Sequence, residues 1–320
     1  MTIPVILFCA GLICLIKGGD WFVDGAVGVA RRFHIPDLLI GATVVSIGTT
    51  LPEVMVSATS ALGGHGEIAY GNAIGSIICN TALIAAITIA VRPGPVDAGA
   101  LKTPTAFFFT AAAVYAVTAY FTGYFSRPIG ILLLVLFVIY MAVTVRQALR
   151  APAQAGGEEE EAPISTGKAC ILLAVGAALI AVGANLLVDN GILIASALGV
   201  PESVIALTFV ALGTSLPELV TAITSLAKGH GSLSLGNVVG ANLFNLVLVS
   251  GMSVTLAPFR IPQGAVIAGH NASLVMDIPV MLCVMLVLTV PALVRKKLTR
   301  GQGILLLAVY AAFCIVQFLL

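Results

Sequence analysis

Apolar stretches long enough to cross a membrane alternate with short polar segments along the whole 320-residue chain. A transmembrane helix needs roughly 20 mostly apolar residues to pass through the hydrocarbon core. The pattern predicts ten such spans, at residues 4–30, 38–62, 68–91, 104–122, 128–147, 168–196, 203–227, 233–256, 273–294 and 302–320. The chain is therefore predicted to be an all-α polytopic membrane protein.

Composition excludes most other classes of protein. Hydrophobic residues make up 59% of the chain and charged residues 9%, against roughly 25% charged in an average soluble domain. The net charge of +1 gives no electrostatic reason to expect a nucleic-acid partner. The six cysteines lie in or beside apolar runs without CxxC spacing, and no HExxH or GxSxG motif occurs. We therefore expect neither an enzyme nor a bound cofactor.

One polar connector divides the ten predicted spans into two groups of five. It covers residues 148–167 and contains four consecutive glutamates, Glu158 to Glu161, among Ala, Gly and Pro. This composition is typical of a flexible, solvated linker. We predict a first five-helix repeat at residues 1–147, an acidic linker at 148–167 and a second five-helix repeat at 168–320.

The distribution of Lys and Arg predicts how the chain is oriented. If the N-terminus lies outside, only Arg127 and Arg260 fall in outside loops. Twelve basic residues fall in inside loops: Arg31, Arg32, Arg92, Lys102, Arg146, Arg150, Lys168, Lys228, Arg295, Lys296, Lys297 and Arg300. Cytoplasmic loops carry an excess of basic residues. Both termini are therefore predicted outside, with the acidic linker in the cytoplasm.

The two halves share a repeat at a constant offset of 165 residues. Residues 41–80 align with residues 206–245 without a gap, and 16 of the 40 aligned positions are identical. Because five is odd, the two halves enter the membrane from opposite sides and are inverted copies of each other. Inverted repeats are typical of secondary transporters, whose substrate site lies at mid-membrane between the repeats.

Each repeat carries a glutamate near the middle of an apolar span, Glu53 in the first and Glu218 in the second. A carboxylate at the bilayer centre costs about 2.5–3.5 kcal/mol or more, so such a residue indicates function. Neither span contains a Lys or Arg that could neutralise the charge. The pair is therefore the first candidate for a substrate site.

The neighbours of both glutamates are rich in oxygen. Thr49 and Thr214 each precede a glutamate by four residues and share its helix face. A proline just before each glutamate removes a backbone N–H, which frees a carbonyl oxygen one turn earlier. Further candidates are the carbonyls of Ser46 and Ala211 and the side chains of Ser76, Asn80 and Asn245. Oxygen ligands without His or Cys favour Ca²⁺ or Na⁺ over Zn²⁺ or copper.

The two glutamate motifs carry a resemblance to a known family. GTTLPE at residues 48–53 and GTSLPE at 213–218 are each followed by a GN..G motif. They resemble the α-repeats of the cation/Ca²⁺ antiporter superfamily, and in particular those of prokaryotic sodium/calcium exchangers. The resemblance covers the whole ten-span layout.

The resemblance implies a function and a mechanism. It implies Na⁺/Ca²⁺ antiport by alternating access, with Na⁺ and Ca²⁺ as substrates, in a prokaryotic cell (inner) membrane protein that works as a monomer among lipids. The first and sixth spans would slide across the other eight. The implied ion ligands are Glu53, Glu218, Thr49, Thr214, Ser46, Ala211, Ser76, Asn80 and Asn245.

Two positions depart from the pattern of archaeal relatives. Ala241 stands where a serine hydroxyl is expected, although its repeat mate Ser76 keeps one. This departure puts one outer Na⁺ site in question. Asn245 stands where many relatives carry Asp, which argues against potassium co-transport.

Other functions remain open on the sequence alone. The glutamates could carry protons instead of Na⁺, which would make the protein an H⁺/Ca²⁺ antiporter. A channel and an intramembrane enzyme are the remaining classes. The polar residues near span ends, among them Asp20, Asp24 and His230, are expected to be solvated.

Overall fold

A computed structural model describes residues 2–33, 35–150, 164–197, 213 and 215–319, and these described residues form ten helices. The helices are α1 (Thr2–Phe33), α2 (Asp37–Leu62), α3 (Gly66–Val91), α4 (Ala98–Phe121), α5 (Arg127–Arg150), α6 (Thr166–Ala197), α7 (Leu216–Ala227), α8 (Gly231–Leu256), α9 (Ser273–Arg295) and α10 (Arg300–Leu319). Within the described ranges, nine of them are long and apolar enough to cross a membrane. The all-α membrane architecture is confirmed. The predicted start of the seventh span, at residue 203, lies outside the described residues.

Six two-residue strands connect helix ends in three antiparallel pairs. The strands are β1 (Gly94–Pro95), β2 (Tyr124–Phe125), β3 (Phe259–Arg260), β4 (Val266–Ile267), β5 (His270–Asn271) and β6 (Lys297–Leu298). The pairs are β1 with β6, β2 with β3, and β4 with β5. The first two pairs join loops from opposite halves of the chain.

Close helix crossings agree with two inverted halves. The helices α1 and α6 pack backbone to backbone: a Cβ on Gly25 would lie 2.6 Å from the amide N of Leu173, and one on Gly176 would lie 2.5 Å from the amide N of Phe22. Residues late in α1 contact residues early in α6, so the two helices are antiparallel. Corresponding helices of inverted repeats have this relation.

The loops collect at two ends of the helix bundle. At one end β1 pairs with β6, Arg92 donates to the carbonyl O of Leu226 at 3.2 Å, and Arg300 donates to that of Ala90 at 2.9 Å. At the other end β2 pairs with β3, and Gly66 packs against Phe259. We call the first the basic end, because it gathers the loops predicted to face inside.

Some polar groups at the basic end are paired rather than freely solvated, contrary to expectation. The Nζ of Lys228 lies 2.7 Å from the carboxylate of Asp24 and 3.5 Å from that of Asp20. The Nδ1 of His230 lies 2.9 Å from Asp37. The turn between α7 and α8 brings Lys228 to α1 and His230 to the start of α2. These pairs could not be predicted from the sequence, since their partners are about 200 residues apart.

The apolar core of the described residues divides into separate clusters. The main cluster joins α3, α4, α8 and α9 through large buried side chains, including Ile77, Phe108, Tyr115 and Phe244. A separate cluster around Phe22 joins α1 to α6 and the start of α2. The two long helices therefore rest on the other helices through their own apolar contact layer.

The crossing of α2 and α8 generates a first prediction. A Cβ on Gly236 would lie 2.9 Å from the carbonyl carbon of Leu38 and would also meet its oxygen. Gly236→Ala must push the helices apart, so we expect a loss of about 1–3 kcal/mol of stability, seen as a lower melting temperature in detergent. Gly301→Ala is the control, since a Cβ there meets nothing within 4 Å. Equal melting temperatures for the two variants would contradict this packing.

Candidate cation site

The two glutamates lie on α2 and α7, buried inside the bundle. Glu53 follows Pro52 in the middle of α2, and Glu218 follows Pro217 in the first described turn of α7. Both side chains are 0% exposed. The two carboxyl groups are near neighbours, and Glu218 also lies beside the hydroxyls of Thr49 and Thr50. The structure thus brings the repeat mates together in one place.

The four carboxylate oxygens have no hydrogen-bond partner among the described residues. The ion pairs found within the described ranges all lie at the basic end and include neither glutamate. A buried charge without a partner is strongly destabilising. The pair therefore has to be neutralised by something that the described residues do not provide, either protons or bound cations.

Two π-helical stretches place the candidate asparagines beside the glutamate helices. One runs from Asn80 to Ala85 in α3 and the other from Asn245 to Val249 in α8, at the repeat offset of 165. The α2 helix packs against the second stretch, and α7 packs against the first. Each glutamate helix thus packs against the asparagine-bearing π-helical stretch of the opposite repeat. Single π-helical turns are frequent at functional sites.

Both asparagine side chains are fully buried, and neither amide has a hydrogen-bond partner in the described part of the chain. Buried polar groups in native proteins are nearly always paired, so each exception calls for an explanation. Ser76 lies one helical turn before Asn80 and is also buried. Amide oxygens of this kind, together with carboxylate oxygens, are the ligands that coordinate Ca²⁺ in proteins.

Ser46 and Thr49 are buried on α2, and a neighbouring asparagine orients both hydroxyls. The Thr49 hydroxyl donates to Oδ1 of Asn237 at 3.2 Å. The Ser46 hydroxyl bonds the carbonyl of Gly41 at 2.7 Å and that of Asn237 at 3.0 Å. When the Thr49 hydroxyl donates its proton to Asn237, the lone pairs of its oxygen stay free for a cation.

Sequence reasoning missed the part played by Asn237 and its repeat mate Asn72. The Nδ2 of Asn72 donates to the Ser57 hydroxyl at 2.8 Å and to the backbone carbonyl of Glu53 at 3.3 Å. These asparagines belong to the two GN..G motifs, at residues 71–75 and 236–240, to which the sequence analysis gave no ligand or positioning role. Their shared offset was the signal that could have identified them.

Thr50 and Ser215 were also missed. They are repeat mates directly after Thr49 and Thr214, both are buried, and neither hydroxyl has a partner within the described residues. The sequence signal that could have identified them is that both repeats carry a hydroxyl at this same position. The predicted ligands Thr214 and Ala211 lie outside the described residues.

The long helices cover one side of the site. A small cavity is bounded by Phe22 of α1, by Ile180 of α6 and by Gly48 and Pro52 of the first glutamate motif. The ring of Phe22 packs so closely on α2 that a Cβ on Gly48 would lie 2.8 Å from its Cζ. Movement of α1 and α6 would open or close this side.

The oxygens of the site suit a hard cation. The described residues contain no group of three or more His, Cys, Asp or Glu arranged to hold a metal. Two carboxylates with surrounding amide, hydroxyl and carbonyl oxygens are a ligand set for Ca²⁺ or Na⁺.

A family model described as "Sodium/calcium exchanger protein" matches residues 3–146 and 168–319. The chain belongs to the sodium/calcium exchanger family. The match covers nearly the whole of both predicted repeats. The resemblance inferred from the two glutamate motifs is therefore confirmed.

Individual relatives of this exchanger-family chain agree with the assignment. It is 36% identical to the inner membrane protein YrbG of Escherichia coli K12, over 87% of each chain. It is 27% identical to the sodium/calcium exchanger MaX1 of Methanosarcina acetivorans, over 99% of each chain. Among solved structures it resembles the sodium-calcium exchanger NCX_Mj soaked with 10 mM Na⁺ and zero Ca²⁺, with a TM-score of 0.83 and 34% identity over 98% of each chain.

The hydrogen bond between Thr49 and Asn237 generates a prediction for this exchanger-family site. Asn237→Ala removes the acceptor of the Thr49 proton, so the hydroxyl loses its fixed orientation. We expect the affinity for bound cations to fall about tenfold, as measured by equilibrium binding of radioactive Ca²⁺. Ser253→Ala is the control: Ser253 is also buried in α8, but its hydroxyl bonds the carbonyl of Val249 in its own helix. An equal loss of affinity in both variants would count against this arrangement.

Proposed function

We propose that the chain is a secondary active antiporter that exchanges Na⁺ for Ca²⁺ across the membrane by alternating access. The observation that carries the proposal is the pair of buried glutamates, related by the inverted repeat and without a basic partner among the described residues. Two negative charges are balanced by one Ca²⁺ or by a small number of Na⁺ ions. Either cargo therefore suits the same site, but both cannot occupy it fully at once.

Ca²⁺ and Na⁺ would bind between the repeats. Glu53 and Glu218 supply the charge, and the asparagines of the two π-helical stretches supply amide oxygens. Their burial and the lack of other partners among the described residues support this assignment. The full proposed set is Glu53, Glu218, Thr49, Thr214, the carbonyls of Ser46 and Ala211, Ser76, Asn80 and Asn245, with Thr50 and Ser215 beside them.

The moving part would be the antiparallel pair of α1 and α6. Glycines such as Gly25 and Gly176 lock these two helices to each other through backbone contacts. Their contact with the remaining helices includes a separate apolar layer around Phe22, and the ion pairs of Lys228 add a polar tie at the basic end. Apolar contacts are non-directional, so the pair can shift as a unit and expose the glutamates to each side in turn.

The basic end would face the cytoplasm, since an excess of Lys and Arg marks cytoplasmic loops. Both termini would then lie outside, and the 148–167 linker between the repeats at 1–147 and 168–320 would be cytoplasmic. The relative YrbG is named an inner membrane protein, which supports a prokaryotic inner membrane location. All proposed ligands come from a single chain, which supports a working monomer.

A gradient-swap experiment tests the coupling ion. Purified protein in liposomes is given radioactive Ca²⁺ under an imposed Na⁺ gradient at equal pH, and separately under a pH gradient without Na⁺. We expect Ca²⁺ flux to follow the Na⁺ gradient alone. Flux driven by the pH gradient alone would establish H⁺/Ca²⁺ antiport instead. Flux that needs no counter-ion would indicate a channel.

Glu53→Gln and Glu218→Gln test the carboxylates directly. Each variant removes one negative charge but keeps an oxygen, and burying an amide costs less than burying a charge, so folding should persist. We expect Na⁺-dependent Ca²⁺ flux to fall at least about tenfold, since one hydrogen bond or contact to a charged group contributes roughly 1.5–3 kcal/mol. Glu67→Gln, at an exposed position in the first turn of α3, is the control. Wild-type flux in a folded Glu53→Gln, Glu218→Gln double variant would refute the assignment.

Ala241→Ser tests the difference between the repeats. Ala241 is buried in α8 one turn before Asn245, where its mate Ser76 carries a hydroxyl. A restored hydroxyl would add one Na⁺ ligand worth roughly 0.5–1.5 kcal/mol. We expect the Na⁺ concentration for half-maximal exchange to fall by up to about tenfold, with little change for Ca²⁺. Ala73→Ser, in a separate apolar cluster with Val54 and Val249, is the control. An unchanged Na⁺ midpoint would mean that position 241 does not face an ion.

A further inference from the structure

The contacts of Lys228 fix α1 to the rest of the bundle at the basic end. Its Nζ lies 2.7 Å from a carboxylate oxygen of Asp24 and 3.5 Å from one of Asp20, and it donates to the backbone carbonyl of Asp20 at 3.0 Å. A lysine ammonium has three N–H donors, so these contacts use its full capacity. Within the described ranges, no other ion pair joins α1 or α6 to another helix.

The turn that carries Lys228 is itself anchored. The N–H of Lys228 donates to the carbonyl of Thr224 at 2.9 Å, and the N–H of His230 donates to that of Ser225 at 2.7 Å. The Nδ1 of His230 lies 2.9 Å from the carboxylate of Asp37 at the start of α2. Lys228 therefore connects α1 to α7 and α2 rather than to a free loop.

The backbone of α1 also comes close to α7 beside these ion pairs. A Cβ on Gly19 would lie 2.7 Å from Cγ1 of Val220 and 2.9 Å from Oγ1 of Thr224. Gly19 directly precedes Asp20, so the close crossing and the ion pairs lie on the same part of α1. At the basic end, α1 is thus both packed against α7 and held there by charge.

The opposite end of the bundle has no counterpart of Lys228. At the repeat offset of 165, the mates of Asp24 and Lys228 are Asp189 and Gly63. Asp189 is exposed on α6, and none of the ion pairs in the described part of the chain includes it. Gly63 directly follows α2 and has no side chain. Both repeats therefore carry the carboxylate, but only one carries its basic partner.

We propose that Lys228 is a positioning residue that holds α1 at the basic end and favours the state in which the glutamates open toward the opposite end. When α1 and α6 slide as a unit, the contacts of Lys228 with Asp20 and Asp24 have to break. A contact made in one of two states shifts the equilibrium toward that state. The proposal rests on the proposed exchange by movement of α1 and α6, and it concerns the sidedness of transport rather than the cation ligands.

The size of the effect follows from the populations of the two states. The apparent affinity for an ion at one face is reduced by the fraction of the protein that is open to that face. The side chains of Lys228, Asp20 and Asp24 are partly exposed to solvent. Ion pairs of this kind shift an equilibrium by about two- to fivefold. Ca²⁺ should therefore bind with lower apparent affinity at the basic end than it would without Lys228.

The test compares the Ca²⁺ concentration for half-maximal Na⁺-driven uptake at the two faces. Right-side-out and everted membrane vesicles contain the full-length protein, and trypsin cleavage of the basic loops identifies the vesicles that expose the basic end. We expect Lys228→Met and Asp24→Asn to lower the ratio of basic-end to opposite-end concentrations about two- to fivefold.

Two further variants show whether the ion pair itself is responsible. The double variant Lys228→Asp, Asp24→Lys reverses both charges and should restore the wild-type ratio. Asp189→Asn removes the matching carboxylate of the other repeat and should leave the ratio unchanged. An unchanged ratio in Lys228→Met, no restoration in the double variant, or an equal change in Asp189→Asn would overturn the proposal.

A transplanted lysine tests the same idea from the opposite end. Gly63 has a φ of −73°, and a Cβ there would meet nothing closer than 3.4 Å, so the position tolerates a side chain. Gly63→Lys offers Asp189 the partner that it lacks, which should favour the state open at the basic end. The same ratio should then fall about two- to fivefold. Gly63→Met adds a long side chain without charge and is the control; an equal fall in both variants would contradict the role of charge.

A measurement on α1 itself separates this proposal from the proposed exchange. Trp21 is the single tryptophan of the chain and directly follows Asp20 on α1. Quenching of its fluorescence by brominated phospholipids in liposomes reports the depth of α1 without any transport. We expect Lys228→Met to change this quenching and the charge-reversed double variant to restore it. Unchanged quenching in Lys228→Met would overturn the proposal, whereas a restored change without Na⁺-driven Ca²⁺ flux would contradict the proposed exchange alone.

Discussion

Two carboxylates buried side by side, with no basic partner in the described part of the chain, are the constraint on which the rest of the structure depends. Glu53 and Glu218 repel each other and have lost their hydration, so the site is costly to keep empty inside the bundle. A cation shell relieves both costs. The same constraint explains coupling: a carrier whose empty site is costly to enclose changes sides most readily when it is loaded. Net transport of one kind of cation in one direction then requires that the other kind is carried back.

The inverted repeat encloses this site with equivalent elements from both halves of the chain. Each glutamate helix meets the asparagine-bearing π-helical stretch of the other repeat, so neither half forms the site alone. The halves also differ at their ends. Lys228, whose repeat mate is Gly63, ties α1 to the turn before α8. That tie exists at the basic end, and Gly63 has no side chain to form its counterpart at the other.

Much of the fold and the centre of the site could be predicted from the sequence. Span length and apolar pattern located the helices, and an acid at mid-span marked Glu53 and Glu218, because the cost of an intramembrane charge is visible in the sequence itself. The π-helical stretches could not be predicted, since their residues have ordinary helix propensities. The role of Asn237 depends on its contact with Ser46 and Thr49, about 190 positions away, which appears only when the repeats are packed together.

The central claim is that Na⁺ and Ca²⁺ neutralise the same two carboxylates in turn. The most direct measurement is equilibrium binding of radioactive Ca²⁺ to the purified protein while Na⁺ is raised and choline keeps the ionic strength constant. The account predicts a single Ca²⁺ per chain, displaced competitively by Na⁺ and absent when both glutamates are replaced by glutamine. Ca²⁺ that stays bound at saturating Na⁺, or that still binds without the two carboxylates, would contradict it.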